Sequence, residues 1–490
     1  MVETLLLLLV ASTLWTQEQV QEDWRLILLG GKMSGYSHQL TTRQPGGRLR
    51  TECYQRLGVD RFGQRLILSQ RQVWLEAESF LSLDVELSGN GAVERLRAEA
   101  APGGIRTLSE KGGAREEGFL PASPTPLGPF RAEQELLRAW RRGDSTVRTR
   151  TFSPDWLGIQ EAEVSFLGRG ERSDGAGGIH RGTIAAEKLL GAGGLDTTLV
   201  IGEGGEILYT RTQVGLGLET VRTPPPTPEQ LATWQRELDS SPGLEMSELG
   251  IPVSGLEKLS LRLGELKGAV FVFSGPGTEA LEEALRLAVA ELGDGYAALG
   301  RWEGGPAVTL SSASTSPAGA VGEKTAGAEA YLRDGYYLAL NDPRLEAILA
   351  GCGSGPDPEC LRQAAYRYIR VKSARFGFAG TQEILSTREG DCTEHSLLLS
   401  SLLRRTGVPA RLAYGFLLTR QGFTGHAWTE AFLDGRWVWL DASFPSAGES
   451  GLKLRLGTID PAQPLWGQMG LALLQAAGAV RARLVEARFE

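Results

Sequence analysis

The sequence has little of what metal, redox and nucleic-acid sites are built from. Its 490 residues include four cysteines and four histidines. No two cysteines have the CxxC spacing that zinc or dithiol chemistry uses. The formal net charge is −8 and no basic stripe is present to hold a phosphate backbone. We therefore expect no metal site, no organic cofactor and no nucleic-acid partner.

Long apolar runs are also scarce. The run LLLLLVASTLW, Leu5–Trp15, is too short to span a bilayer but suits the core of a signal peptide. The preceding residues carry Glu3 and no basic side chain, which is atypical of such a peptide. We expect residues 1–20 to be a signal peptide or anchor and the protein to be periplasmic or secreted, with a cytoplasmic location as the alternative. No other membrane span is predicted.

The cysteines bear on the same question. Cys352 and Cys360 bracket the turn-rich segment GSGPDPE, so they either form a disulfide, as in oxidising compartments, or remain two free thiols. Cys53 lies far from them in the sequence, and we expect it to be a lone, half-buried residue.

The length predicts two or three domains. The strand and helix patterns predict the α+β class, with a β-rich antiparallel-sheet region followed by a C-terminal α+β domain. Residues 21–222 alternate as strands do, with Gly-Gly turns at positions 30–31 and 204–205, and predict a large sheet in two halves separated near Ser123. The proline-rich stretch 223–230 is typical of a linker. We expect a small β-containing module at 231–325, the α+β domain at 330–450 and a C-terminal extension at 451–490.

One cysteine has a distinctive setting, in the stretch GDCTEHSLLLSSLL. Asp391 and Glu394 form a capping-box pattern that places Cys392 in the first turn of a helix, and Gly407 and Pro409 end that helix. Free backbone N–H groups and the helix dipole favour an anion there. A thiolate is such an anion, so Cys392 is a candidate nucleophile. The alternative is a small residue that happens to occupy a helix start.

A second stretch, HAWTEAFLDGRWVWLDASF, predicts a hairpin. A two-residue turn at Asp434–Gly435 pairs Leu433 with Arg436. In that register His426 and Asp441 share a face as diagonal neighbours, roughly 7 Å apart at the backbone. A carboxylate bonded to one imidazole nitrogen leaves the other for a nucleophile. The hairpin therefore predicts a His–Asp dyad, and a register slip of one residue would separate the pair.

The roles of other side chains near these motifs are less specifically predicted. His395 follows Cys392 by three residues on the same helix face and is the alternative base. Glu430 is expected to be structural. Trp428 and Trp439 are predicted to wall the site and contact substrate, although tryptophans also pack in cores without any such role.

Together these motifs resemble a known family. The elements G-D-C-x-E-H, R-x-x-G-V-P-A-R, G-H-A-W-x-E and W-V-W-L-D-A, over residues 341–444, are similar to the bacterial transglutaminase-like domain of the papain-like Cys–His–Asp enzymes. The resemblance implies that Cys392 is the nucleophile, His426 the general base and acid, and Asp441 the orienting group. Many members have Pro-Thr after the aspartate, whereas this chain has Ala442–Ser443. The β-rich first half resembles the N-terminal regions of exported bacterial proteins.

The expected function is a cysteine acyl-transfer enzyme that hydrolyses peptide or amide bonds through a thioester on Cys392. The implied substrate is a protein or peptide, attacked at a glutamine side chain or a peptide bond, and an amine in place of water would give a crosslink. The alternative is a non-catalytic envelope binding or scaffold protein whose β-rich region holds a lipid, polysaccharide or protein partner.

Overall fold

A computed structural model describes residues 18–489 except 62, 90–91, 156, 191–195, 214–216, 241–242, 244, 246–249, 260–264, 276–277, 293–295, 304, 312–326, 354–356, 375–377, 447–450, 465–472 and 474–479. Most of the predicted signal segment lies outside the described residues, and positions 18–20 already belong to the first strand. Among the helices that are described, none is both long enough and apolar enough to cross a membrane.

The described residues of the first half of the chain form one antiparallel sheet, as predicted, and this sheet has fourteen strands. The strands are β1 (Glu18–Leu29), β2 (Lys32–Arg43), β3 (Leu49–Arg61), β4 (Gln64–Glu76), β5 (Phe80–Gly89), β6 (Ala92–Ala101), β7 (Gly104–Lys111), β8 (Ala114–Pro121), β9 (Thr146–Ser153), β10 (Gly158–Ser173), β11 (Ile179–Leu190), β12 (Asp196–Ile201), β13 (Ile207–Thr212) and β14 (Leu218–Thr223). Their order is β8 to β1, then β14 to β9.

The two predicted halves of this sheet are therefore joined by the β1–β14 pair, in which Trp24 lies opposite Thr223. Between β8 and β9 runs helix α1 (Pro129–Arg142), which the strand-like alternation of the region did not predict. Cys53, on β3, is half-buried as expected, and its desolvation raises the pKa of the thiol to about 12.

The middle module opens with helix α2 (Pro228–Ser240), which begins inside the proline-rich stretch 223–230 that we assigned to a linker. It continues with a five-stranded sheet and helix α3 (Thr278–Leu292). The strands are β15 (Val253–Ser254), β16 (Gly268–Ser274), β17 (Ala297–Trp302), β18 (Gly305–Ser311) and, from the end of the chain, β25 (Arg481–Arg488).

The last residues of the chain do not form an appendage. Strand β25 lies between β15 and β16 and supplies backbone partners to both. Strand β24 (Lys453–Ile459) pairs with the C-terminal domain instead. Two strands of the stretch 451–490, which we set apart as an extension, thus belong to two sheets of the fold, where their backbone groups find partners.

The C-terminal domain packs helices on a four-stranded sheet. The helices are α4 (Pro343–Leu349), α5 (Pro358–Tyr368), α6 (Thr381–Thr387) and α7 (Cys392–Arg405). The sheet has the order β23 (Arg436–Leu440), β22 (Gly422–Leu433), β21 (Ala410–Thr419) and β24, and a short parallel pair, β19 (Val371–Lys372) and β20 (Glu389–Gly390), precedes α7. Cys352 and Cys360 form a disulfide just before and within α5, which decides between the two alternatives above.

Two cores hold this domain in place. One packs the leucines of α7, such as Leu398 and Leu402, against Leu412 of β21. The other joins Phe416 and Phe423 of the sheet to Phe271 of the middle module. The sheet that carries the candidate site is thus fixed on both the helical side and the middle-module side.

Candidate active site

Cys392 occupies the helix position that the sequence predicts. Asp391 caps α7: its Oδ1 accepts from the backbone N–H of Thr393 at 2.9 Å. The carboxylate of Glu394 accepts from the backbone N–H of Asp391 at 2.9 Å, which completes the capping box. The half-buried thiol therefore lies in the first turn, where the helix dipole favours negative charge.

The predicted hairpin register is confirmed. Leu433 lies opposite Arg436 and the ladder continues to Thr429 and Leu440. His426 Nε2 and Asp441 Oδ2 are 2.8 Å apart and hydrogen-bonded. The other oxygen, Oδ1, accepts from the backbone N–H of Ser443 at 3.0 Å, so the departure from Pro-Thr leaves the aspartate supported.

The imidazole of His426 also lies beside the thiol of Cys392. The Cys392 side chain lies near enough to the imidazole of His426 to raise its pKa. Because Asp441 engages Nε2, Nδ1 is the nitrogen left for Cys392. Three residues from two separated motifs are thus brought together in the order nucleophile, imidazole, carboxylate.

Electrostatics favour a charged pair at the dyad. Burial alone would lower the pKa of His426, but the adjacent Asp441 carboxylate and the neighbouring Cys392 side chain outweigh it and raise the pKa to about 9. Burial would also raise the pKa of Asp441, yet His426 and the Lys453 ammonium hold it well below its usual range. The imidazole therefore holds a proton readily at neutral pH.

Lys453 is a site residue that the sequence did not reveal. Its Nζ lies 3.2 Å from Asp441 Oδ2, and its side chain is 1% exposed. Burial lowers the pKa of this ammonium, while Asp441 opposes the shift. Lys453 lies on β24, in the stretch 451–490 that we assigned to an extension. No sequence motif connects Lys453 to Asp441, so its position could not be predicted.

The two tryptophans lie behind the dyad. Trp428 is fully buried, with its ring stacked on His426 at a centroid distance of 6.1 Å. Half-buried Trp439 packs on Trp428 at 5.4 Å. The ammonium of Lys453 lies 5.8 and 5.9 Å from the two ring centroids. This packing keeps water from the buried side of the dyad, and the substrate contact expected of the tryptophans stays a prediction.

His395, the alternative base, is occupied elsewhere. Its Nδ1 bonds the backbone carbonyl of Asp391, and its Nε2 contacts the ammonium of Lys372. Burial lowers the pKa of His395 to about 4. Both ring nitrogens are engaged away from the thiol, so the geometry favours His426.

Glu430 has the structural surroundings expected of it. Its fully buried carboxylate pairs with Arg411 at 2.7 Å and Arg455 at 2.9 Å. Both arginines also reach Glu291 of helix α3, each at 2.6 Å. These ion pairs connect helix α3 of the middle module to the sheet that carries His426.

A second residue that the sequence did not reveal comes from the N-terminal sheet. Arg61, at the end of β3, donates from Nη2 to Cys392 Sγ at 3.5 Å. Its Nη1 pairs with Asp391 Oδ2 at 2.8 Å. Since 331 positions separate Arg61 from Cys392, no motif analysis could have joined them.

Comparison with known proteins places the domain in a family. Residues 353–442 match the Transglutaminase-like superfamily. The chain therefore carries a domain of this superfamily, and the matched segment contains all three residues of the triad arrangement. No curated protein matches the chain at a significant level.

Solved structures give more distant likenesses. A β-barrel-like protein with a domain of unknown function from Brucella abortus is 12% identical, with a TM-score of 0.34, covering 42% of this chain and 98% of its own. A candidate cysteine protease from Cytophaga hutchinsonii is 15% identical, with a TM-score of 0.25 over 38% and 63%. A candidate protease from Parabacteroides distasonis is 9% identical, with a TM-score of 0.19 over 72% and 64%. These values are too low to assign an activity.

Proposed function

We propose that the protein is a cysteine acyl-transfer enzyme that hydrolyses peptide or amide bonds through a thioester on Cys392. The observation that carries the proposal is the position of His426, which is hydrogen-bonded to Asp441 through Nε2 and lies beside Cys392. This is the arrangement that nucleophilic acyl transfer needs. Membership of the superfamily supports the same chemistry.

The reaction begins with transfer of the Cys392 thiol proton to His426. The thiolate attacks the carbonyl carbon of the amide, and the C–N bond of the resulting tetrahedral adduct breaks as His426 returns the proton to the leaving nitrogen. A thioester remains on Cys392. Water, deprotonated by His426, then attacks the thioester and releases the acid and the free thiol, while Asp441 stabilises the imidazolium at both stages.

The substrate class follows from this chemistry. A glutamine side chain would release ammonia, and a peptide bond would release a new amino terminus. If an amine replaced water in the second step, the product would be a crosslink. We propose hydrolysis of a protein or peptide, in accord with the superfamily likeness.

We further propose that the protein works outside the cytoplasm. The Cys352–Cys360 disulfide supports this location, because such bonds persist in oxidising compartments. Electrophoresis of the natively expressed protein after thiol blocking, with and without reduction, would test it: a fully reduced pair in the native compartment would contradict the proposal.

The function is tested with an activated ester that needs no knowledge of the natural substrate. Rapid mixing with p-nitrophenyl acetate should release a burst of about one p-nitrophenolate per chain, and the acetyl group should appear on the Cys392 peptide by mass spectrometry. Casein then separates the outcomes: new amino termini indicate proteolysis and ammonia indicates deamidation. A wild-type protein that behaves like Cys392→Ala in both assays would favour the scaffold alternative.

A further inference from the structure

The hairpin formed by β3 and β4 reaches from the N-terminal sheet to the candidate active site. Its final pair is Arg61 opposite Gln64. Gln64 Oε1 accepts from the backbone N–H of Ala374 at 2.9 Å, and Ala374 packs against Val59 and Leu66 of the hairpin. Both residues of the final pair therefore contact the C-terminal domain beside the start of α7.

The end of α2 and the segment that follows it hold the same hairpin from another side. Asp60 Oδ2 accepts from the backbone N–H of Gly243 at 2.7 Å. Arg65 donates from Nε to the carbonyl of Leu238 at 2.6 Å. Because Asp60 and Arg65 adjoin the final pair and also bond each other at 2.9 Å, Arg61 is presented by a restrained hairpin end.

The guanidinium divides its two terminal nitrogens between the helix cap and the nucleophile. Nη1 pairs with Asp391 and Nη2 lies 3.5 Å from Cys392 Sγ. Asp391 already has the N–H and hydroxyl of Thr393 as partners, so capping alone does not require the arginine. Nη2 is directed at Cys392 Sγ, the atom that becomes negatively charged when the thiol loses its proton.

The charged groups around Sγ come from three elements. Arg61 arrives from β3, His426 from β22, and Asp391 and Glu394 from the start of α7. Burial and the neighbouring Asp391 raise the pKa of Glu394 to about 8, so this carboxyl is largely neutral at pH 7. Arg61 and protonated His426 both lie beside the thiol, while Asp391 pairs with Arg61 and Asp441 pairs with His426.

We propose that Arg61 is a catalytic residue supplied by the N-terminal sheet, where its guanidinium stabilises the thiolate of Cys392. The active site is then assembled from two domains, and the β-rich region contributes directly to the chemistry. This inference rests on the proposed function, since it assigns a role within the same acyl-transfer site.

Alkylation of the full-length chain tests the role. Rates with neutral iodoacetamide and anionic iodoacetate are measured from pH 5 to 9.5 for wild type, Arg61→Met and Arg61→Lys. Mass spectrometry of the Cys392 peptide excludes any signal from Cys53. The matched control is Arg71→Met, which removes an exposed arginine of the same hairpin that pairs with Glu52.

In Arg61→Met the iodoacetamide rate at pH 6 should fall by about tenfold and converge with wild type at pH 9.5, because a fully ionised thiol no longer depends on the arginine. The preference for iodoacetate should fall by about threefold as well, since the local positive charge is gone. Arg61→Lys should restore part of both losses, and Arg71→Met should match wild type. Equal rates in wild type and Arg61→Met would overturn the inference.

A measurement on chains that retain Arg61 covers the case in which Arg61→Met does not fold. The measured quantity is the ratio of the iodoacetate rate to the iodoacetamide rate, compared with the same ratio for N-acetylcysteine. For Cys392 this ratio should be raised at low salt and should lose its excess at high salt, because salt screens the charge of Arg61. The raised ratio at low salt should also be present in His426→Ala. No preference at low salt would overturn the inference. The p-nitrophenyl acetate burst separates the two proposals: a normal burst with no effect of Arg61 removes this inference alone, whereas an absent wild-type burst removes the proposed function.

Discussion

The two histidines nearest the nucleophile occupy opposite electrostatic settings. His395 lies on helix α7, three residues from Cys392, and His426 lies on strand β22. Both are buried. Yet the pKa of His395 falls to about 4, whereas that of His426 rises to about 9.

The difference comes from the partners of the two rings. His395 faces a backbone carbonyl and the Lys372 ammonium, so burial prevails and the ring stays neutral. His426 faces the Asp441 carboxylate, which outweighs burial and favours the imidazolium. Proximity in sequence to a nucleophile therefore identifies the base less well than the charge of the group behind the ring.

The largest expected effect separates the two histidines by activity. His426→Ala should lower turnover of p-nitrophenyl acetate by about 10³-fold, because the thiol loses both its proton acceptor and its imidazolium partner. Steady-state kinetics at pH 7 measure the loss. A decrease below tenfold would remove His426 from the role of base.

The second prediction concerns stability above neutral pH. The folded-state pKa of His426 is raised above the ordinary value of 6.5, so its stabilising contribution is complete below about pH 6.5 and is lost as pH rises through about 9. Relative to His426→Gln, wild type should lose up to about 3 kcal/mol of unfolding free energy between pH 6 and pH 9.5. Urea titrations at both pH values check this. A difference between the two proteins that stays constant with pH would contradict it.

The third prediction has the opposite slope. The folded-state pKa of His395 is lowered, so its contribution is present above about pH 6.5 and is lost as pH falls through about 4. Between pH 7 and pH 4, wild type should lose up to about 3 kcal/mol relative to His395→Gln. The same urea titrations, carried to acid pH, measure the loss. If both variants gave the same sign of slope, the contrast between the two rings would fail.

The smallest expected effect is on activity at His395. Since its nitrogens are engaged by Asp391 and Lys372, His395→Gln should change p-nitrophenyl acetate turnover by less than about threefold. The measurement is made beside His426→Ala in the same buffer. A loss comparable to that of His426→Ala would restore His395 as the base.

The features that were predictable from sequence are those set by local geometry. The capping box of Asp391 and Glu394 placed Cys392, and the Asp434–Gly435 turn set the register that joins His426 to Asp441. Each depends on contacts between residues close in sequence, where spacing determines position. The large antiparallel sheet of the first half followed from alternation in the same way, but the number and order of its strands did not.

The features that escaped prediction depend on long-range packing. Arg61 reaches Cys392 from 331 positions away, and Lys453 reaches Asp441 through the β21–β24 pair. Strand β25 pairs with β16, which lies more than 200 positions earlier, since Arg481 is paired with Ser274. Alternation can indicate that a segment is a strand, but it does not say which sheet the strand joins.

The most direct test of the central claim is the pH dependence of Cys392 alkylation by iodoacetamide in wild type, His426→Ala and Asp441→Asn. The account predicts a fast wild-type reaction that reaches its plateau well below about pH 8.5, where a free cysteine ionises. It also predicts that the fast reaction is lost in His426→Ala, which leaves the slower alkylation of a thiol without its base, and is weakened in Asp441→Asn. A slow reaction with the profile of a free thiol in all three proteins would contradict an activated Cys392–His426 pair.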